Sequence, residues 1–297
     1  MPAAVSIAIP TFNRRATLER AVRSALGQTH VDLEVVVSDN ASSDGTVELL
    51  DRLAADDDRL RTVRQRANRG MVANLNAAIA MARGDHVMLL ADDDWLAPRC
   101  VEAALGALRS EPGAVSALGR VTYLSDAEPA PGDRTKALLG GSGQIRVRDY
   151  FATVPSDHGN TWLYGLSPRE TVQRLAPMRN VLGFDWLRVA ELAFLGKIVL
   201  VDEPLIFREL GGTSESTARN VRESRLPAMQ AKLPHLVIAG HVLSEIGWRS
   251  PVYAPLGRRR RLALAAACAS NVPRHSLRHV LFHLAPQTAQ DRWHRRA

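Results

Sequence analysis

The sequence predicts an α/β protein, a mostly parallel sheet flanked by helices and followed by a basic, mainly helical C-terminal region. Within the first hundred residues, short apolar runs alternate four times with stretches of helical periodicity, the pattern of parallel strands joined by right-handed crossovers. The fourth run, Val87-Met88-Leu89-Leu90-Ala91, carries no charge and ends in Asp92, Asp93 and Asp94. A strand buried on both faces reads this way, and its carboxyl end is where open α/β sheets bind ligands. The chain has 297 residues, 46% of them hydrophobic, enough for one large domain and something smaller.

Val5 to Ile9 reads as the first strand, stopped by Pro10. Leu18, Ala21, Val22, Ala25 and Leu26 then recur at helical spacing, with Asn13 or Thr17 available as N-cap. Leu33 to Ser38 is a second strand ending at Asp39, and a polar loop leads into a helix through Val47, Leu50 and Leu53. Leu60 to Arg64 is a weaker third strand, after which Asn68-Arg69-Gly70 opens a helix carrying Val72, Leu75 and Ile79. Beyond the acids, a helix runs from Pro98 to about Leu108 and a strand from Val115 to Leu124. Asp126 to Gly143, rich in Gly and Pro, reads as a mobile loop over the site. Trp162 to Leu166 is expected as a strand, Pro168 as a helix start, and Asp185 as the start of a helix that Gly196 ends. Two more strands follow, Lys197 to Val201 and Leu205 to Arg208. There is no internal repeat.

Three adjacent carboxylates repel one another, and a hard divalent cation, which takes oxygen ligands and bridges to substrate phosphates, would hold them together. The same acids also read as a solvated turn ahead of the next helix. Thr11 and Asn13 after the first strand and Asp39 after the second would face the same crevice. A carboxylate such as Asp39 can accept the ring N–H of a uracil, thymine or guanine base, and the helix start at Gly70, beside Asn68, could meet a phosphate. Taken singly, Asp39 and Asp44 are equally well loop and cap residues. No G-x-x-x-x-G-K-[ST] loop occurs, and Gly140-Gly141-Ser142-Gly143 does not join a strand to a helix as a dinucleotide fingerprint must.

The formal charge of +7 is unevenly spread. Residues 217–297 hold 14 Arg and Lys against 3 Asp and Glu, and six of the nine His, whereas residues 1–216 are mildly acidic. This contrast suggests a boundary between a catalytic domain, 1–216, and a basic C-terminal region, 217–297. Cys100 and Cys268 are too few and too far apart for a disulfide framework or a zinc site. No signal-like or membrane-spanning apolar stretch is present, so a cytoplasmic enzyme is expected. Arg258 to Arg261, and further on Arg274, His275, Arg278, His279 and His283, suit a basic amphipathic helix. Such a helix could touch the inner face of an anionic membrane, or pack on the catalytic domain or a homodimer partner. Nucleic acid is not an expected partner, because Trp248, Tyr253, Phe282 and Trp293 are too widely spaced to interleave with the basic residues.

Ile9-Pro10-Thr11-Phe12-Asn13-Arg14, Val37 to Thr46, Asn68-Arg69-Gly70, Ala82-Arg83-Gly84-Asp85 and Leu90 to Pro98 occur in an order and spacing that resemble family 2 glycosyltransferases with the GT-A fold, over roughly residues 5 to 210. The resemblance implies inverting transfer of a sugar from a nucleotide-diphosphate donor (UDP, dTDP or GDP) to a hydroxyl acceptor, with Mg2+ or Mn2+. It implies that Pro10, Thr11, Asn13, Arg14, Asp39, Asn68, Gly70, Asp92 and Asp93 bind the donor. Asp94, with Asp92, would hold the metal, and Asp185 would be the general base. Either Asp92 or Asp93 matches the first acid of the family's DXD motif, since Ala91 stands where many members have Asp. Two other departures are Phe184, where a Glu commonly precedes the base, and Glu209-Leu210-Gly211-Gly212, where many relatives carry a His. Glu209 or a tail residue would take that place. Apart from the resemblance, Asp185 reads as an N-cap, and a carboxylate at a helix N-terminus is ionised near neutral pH, as a base must be.

Overall fold

The four strand–helix units of the N-terminal half assemble as the sequence predicts. A computed structural model describes residues 4–125, 128–129, 135–154, 160–209 and 217–272. β1 (Val5–Thr11), α1 (Arg15–Leu26), β2 (Leu33–Asp39), α2 (Thr46–Asp56), β3 (Leu60–Arg64), α3 (Met71–Met81) and β4 (His86–Leu89) form the units. The sheet order is β3-β2-β1-β4, all parallel, with the short β8 (Ser167–Pro168) antiparallel at the β4 edge. Side chains alternate across the sheet. Ile7, Ile9, Val35, Val37 and Met88 pack with α1, α2 and α4 (Cys100–Ser110), while Ala8, Val36 and Leu89 pack against Val72, Leu75 and Ala78 of α3. Both faces are apolar because both are covered.

The cap of α1 differs from expectation. Neither Asn13 nor Thr17 caps it; Asp44 Oδ2, from the loop after β2, accepts the Arg15 N–H at 3.1 Å. Asn13 sits at φ 51° and its Oδ1 accepts the Ser43 N–H at 2.8 Å. The cap therefore comes from a neighbouring loop, a pairing that local sequence does not contain.

A second sheet, ordered β5-β9-β6-β7, stands beside the first. β5 (Asp94–Leu96) runs antiparallel to β9 (Lys197–Glu209), and β6 (Ala114–Ser125) runs parallel to it. The two strands expected at Lys197 and Leu205 are thus one. Gly119 pairs with Val201 and Arg120 with Pro204, so Asp202 and Glu203 bulge without ending the strand. A Cβ on Gly119 would lie 2.4 Å from that of Leu205, and only glycine admits this approach. Trp162 to Leu166 is not a strand. Thr161–Tyr164 forms a 3-10 turn in which buried Trp162 donates Nε1–H to the Lys136 carbonyl at 3.0 Å and meets Tyr150 edge-on. Five residues are too few for periodicity to separate a strand from a buried turn. Of the stretch Asp126–Gly143, β7 (Glu128–Pro129) pairs with β6, and Leu138 bridges to Ile198 of β9. Residues 126–127 and 130–134 lie outside the described residues.

α5 (Gly143–Thr153), α6 (Arg169–Gln173) and α7 (Phe184–Leu195) complete the first 216 residues, and α8 (Thr217–Glu223), α9 (Pro234–Ser244) and α10 (Gly257–Ala269) follow. The step in charge at residue 217 falls inside a shared core. Val221, Ile238, Val242, Tyr253, Leu264 and Cys268 belong to the same buried cluster as Val147, Phe151, Trp186, Val189 and Ala193. Among the described residues no helix is long and apolar enough to cross a membrane. Cys100 and Cys268 are free and buried, and burial pushes both thiols up to about 12. The histidines at 275, 279 and 283 and the arginines at 274 and 278 lie outside the described residues.

Candidate active site

A cavity of about 640 Å³ opens at the carboxyl edge of the first sheet. Its polar floor is fixed by three asparagines. Buried Asn74, on α3, donates Nδ2–H to the carbonyls of Thr11 (3.1 Å) and Ser38 (2.9 Å) and accepts the Ser38 hydroxyl at 2.7 Å, tying together the ends of β1 and β2. Asn40 donates to Asn68 Oδ1 (3.0 Å) and accepts the Arg69 N–H (2.9 Å), while Asn68 accepts the Gly70 N–H (2.8 Å). Buried polar groups paired in this way hold a loop in one conformation.

Of the residues expected to bind donor or metal, Pro10, Thr11, Asn13, Arg14, Asn68, Asp92, Asp93 and Asp94 line this cavity. Asp39 and Gly70 stand behind the wall. Asp39 is buried, accepts the Ser42 N–H at 3.1 Å and lies 3.7 Å from Arg64 Nε.

The three acids have different surroundings. Burial, with the adjacent Asp93 charge, pushes Asp92 up to about 7, against the pull of the Thr11 hydroxyl and of Arg14, whose Nε is 3.9 Å away. Asp94, the first residue of β5, faces Arg208 across the β5–β9 pair at 3.1 Å. Burial raises it to about 6, and Arg208 and the Tyr164 hydroxyl oppose that rise. Arg208 lies over the rings of Tyr164 and Tyr123 and is held firmly charged by its phenolic and carboxylate neighbours despite its own burial. A direct metal ligand at Asp94 would have to share Arg208, whereas Asp93, only partly buried, makes no ion pair among the described residues.

Asp185 lines the same cavity. α7 starts at Gly183 with φ 79°, a left-handed conformation that suits glycine, and Asp185 falls in its first turn. Burial lifts its carboxyl to about 6, opposed by the Trp186 N–H, its own N–H, the Asn160 amide and Arg208. Asn160 is itself buried and donates Nδ2–H to the Tyr150 hydroxyl at 2.9 Å. Glu191, two turns along α7, faces away: it accepts the Ser250 hydroxyl at 2.7 Å and lies 3.7 Å from Arg188.

Sequence reasoning missed Asn74, Asn160 and Tyr164, and it missed Asn220, Arg222 and Arg225, which bring the start of the C-terminal region to the cavity. A lone Asn or Tyr inside a helix or turn carries no spacing signal. Glu209, expected to replace a His, does line the cavity; its carboxylate accepts from Arg20 at 2.6 Å, and that guanidinium lies over Trp95.

No group of three or more His, Cys, Asp or Glu is arranged to hold an ion by itself among the described residues. The pair Asp92 and Asp93 nonetheless fits a hard cation whose other ligands come from phosphates and water. Two adjacent carboxylates at the cavity supply hard oxygen donors of the kind such an ion takes, with Arg14, 3.9 Å from Asp92, the one cation paired with them among the described residues.

Known proteins resemble this chain in sequence and fold. The chain is 41% identical over 93 residues to a GalNAc(5)-diNAcBac-PP-undecaprenol beta-1,3-glucosyltransferase of Campylobacter jejuni, covering 31% of this chain and 30% of that one. It spans only 10% to 30% of the length of this and the other curated relatives of similar rank. Staphylococcus aureus TarS 1-349, solved in complex with UDP-GlcNAc, superposes with a TM-score of 0.63 at 16% identity, covering 99% of this chain and 78% of that one. The mannosyltransferase PcManGT of Pyrobaculum calidifontis, solved with GDP-Man and Mn2+, gives 0.56 at 18% identity, covering 90% and 74%. At these identities the two structures establish the fold. The profile of glycosyl transferase family 2 matches residues 6–169, which contain β1 through β8, save the first residue of β1, and all three acids. With that profile over more than half its length and the GT-A architecture throughout, the chain belongs to glycosyl transferase family 2.

Proposed function

We propose that the protein transfers a sugar, with inversion, from a nucleotide-diphosphate sugar to a hydroxyl of a saccharide, lipid-linked or small-molecule acceptor, assisted by Mg2+ or Mn2+. The observation that carries this reading is one cavity lined both by a raised carboxyl, Asp185, and by the acid pair Asp92 and Asp93. Inversion needs a base on the face of the anomeric carbon opposite the leaving group. The acceptor oxygen attacks that carbon, its proton passes to Asp185, and the bond to the diphosphate breaks. Asn160 and the first-turn N–H groups of α7 hold the carboxylate in place for this transfer.

Asp92 and Asp93 would hold the cation, which when bound offsets charge on the departing diphosphate. Asp94 then serves to fix Arg208 and Tyr164 at the edge of the site. Thr11, Asn13, Arg14 and Asn68 meet the nucleotide, and Asp39, with Gly70 behind the wall, shapes the base pocket. UDP, dTDP and GDP remain the candidate carriers, and the names of the similar proteins, which include a UDP-GlcNAc complex and a GDP-Man complex, support that range. The undecaprenol diphosphate in the name of the Campylobacter jejuni relative supports a lipid-linked acceptor.

A screen of sugar nucleotides for hydrolysis and transfer, with Mn2+ and with excess EDTA, tests the proposal. One donor should turn over, and only with the metal. Full turnover in EDTA would remove the metal from the account, and release of the sugar with retained configuration would remove the role of Asp185.

A further inference from the structure

Among the described residues, the C-terminal region exposes apolar side chains on α9 and in the turn that follows it. On α9, Leu236, Gly240 and Leu243 recur one turn apart on the exposed side, opposite buried Ile238 and Val242. Leu236 is 57% exposed, and Trp248, in the π-turn Glu245–Arg249 that continues α9, is 58% exposed. Trp248 shares a shallow groove with Leu262, Arg258 and Arg261 of α10, the helix packed against that turn. Isolated exposed apolar residues are ordinary, but Trp248 and Leu262 in one groove with clustered cations mark an interaction surface.

The cations are unusual in their position. Arg258, Arg259 and Arg260 are exposed in the first turn of α10, and no acid accompanies them there. A helix N-terminus is the positive end of its dipole, so these charges are held where the protein itself disfavours them. Arg261 alone turns inward, donating to the carbonyls of Ile246 (3.0 Å) and Ser250 (2.9 Å) and so anchoring the turn that carries Trp248. An external anion relieves the clustered charge, and an apolar phase beside it accepts the tryptophan and leucines. Phosphates of nucleic acid would answer only the first requirement, and a second copy docked about a two-fold axis would set arginines near arginines.

We propose that Leu236, Leu243, Trp248 and Leu262, with Arg258 to Arg260, dock the protein reversibly on an anionic lipid surface. The leucines and the indole enter the boundary of headgroups and acyl chains while the arginines meet lipid phosphates. This surface is independent of the catalytic reading, although it would deliver the cavity to a lipid-linked acceptor.

The test is flotation of the full chain with vesicles of equal parts phosphatidylcholine and phosphatidylglycerol, and with phosphatidylcholine alone. Sugar-nucleotide hydrolysis and thermal melting are followed in parallel. Wild type should float with the anionic vesicles at low salt and much less with the neutral ones. Arg258→Gln with Arg259→Gln and Arg260→Gln should lower the partition coefficient about a hundredfold, roughly fivefold per charge. Trp248→Ser with Leu262→Ser should lower it about tenfold or more, with melting and hydrolysis unchanged in both variants. The proposal is overturned if wild type stays in solution, if it binds neutral vesicles equally well, or if either variant floats like wild type. It is also overturned if Trp248→Ser dissociates a dimer of a chain that does not float.

Discussion

On the side of the cavity proposed to bind the donor, Asn40, Asn68 and Asn74 close the loops after β1, β2 and β3 with buried and part-buried side-chain hydrogen bonds. On the base side, Asp185, Asn160 and α8 come from separate stretches of chain, and apolar contacts between α5, α7 and the C-terminal helices hold them together. The first wall is fixed by short polar links that join neighbouring strand ends. The second depends on the core that the last third of the chain completes: a Cβ on Gly183, where α7 begins, would lie 3.0 Å from Ile238 of α9. Damage to the donor wall should therefore appear in nucleotide binding, and damage to the C-terminal core in turnover.

The largest effect separates the acids. Asp94→Ala removes the carboxylate that faces the largely buried Arg208 side chain at 3.1 Å and should cost about 3–5 kcal/mol of stability, read as a fall in melting temperature of the metal-free protein. Asp93→Ala should leave melting almost unchanged while lowering turnover in saturating Mn2+ by about 10²-fold or more, the scale of a lost electrostatic contact to the leaving group. If Asp93→Ala keeps its turnover and Asp94→Ala melts normally, the roles given to these two acids are reversed.

Ile238→Ala, a cavity in the core behind α7, should cost about 2–4 kcal/mol and reduce kcat with donor Kd unchanged. Asn74→Ala strips the Thr11 and Ser38 carbonyls of their shared donor and should cost about 1–3 kcal/mol, with the functional loss appearing as weaker nucleotide binding by calorimetry. A loss of donor affinity in Ile238→Ala, or of kcat alone in Asn74→Ala, would dissolve the distinction between the walls.

The smallest effect is with pH. Asp185 is raised to about 6, and only its ionised form can take a proton, so activity present above pH 6 is lost as pH falls through that value. With Mn2+ saturating, kcat should drop about tenfold for each unit below the midpoint. A flat profile down to pH 5 would place the base elsewhere.

The same contrast explains what the sequence disclosed. Asp92 to Asp94 and the four strand–helix units were legible because each is a local pattern: an uncharged strand, a change of period, a polar strand end. Asp185 needed the family resemblance, since its residue type and helix start fit a plain N-cap as well. Asn74 was not legible, because one amide in a helix is normally a surface residue and its burial is decided by the converging ends of β1 and β2. The partnership of Asp94 with Arg208 depends on the β5–β9 register between segments over a hundred residues apart. Trp162 to Leu166 misled because Trp162 is buried against Tyr150 in a 3-10 turn and only Leu166 pairs, in a single bridge with Ala117 of β6. The charge step at 217 says nothing of packing, since charge partitions surfaces while α9 and α10 share a buried core with α5 and α7.

Asp185→Asn tests the central claim most directly. The amide keeps the shape and the Asn160 contact but cannot accept the acceptor's proton. Donor Kd by calorimetry and kcat of transfer should be measured on the same preparation in Mn2+. The account predicts a Kd within a few-fold of wild type and a kcat lower by about 10²-fold or more. An unchanged kcat would contradict it.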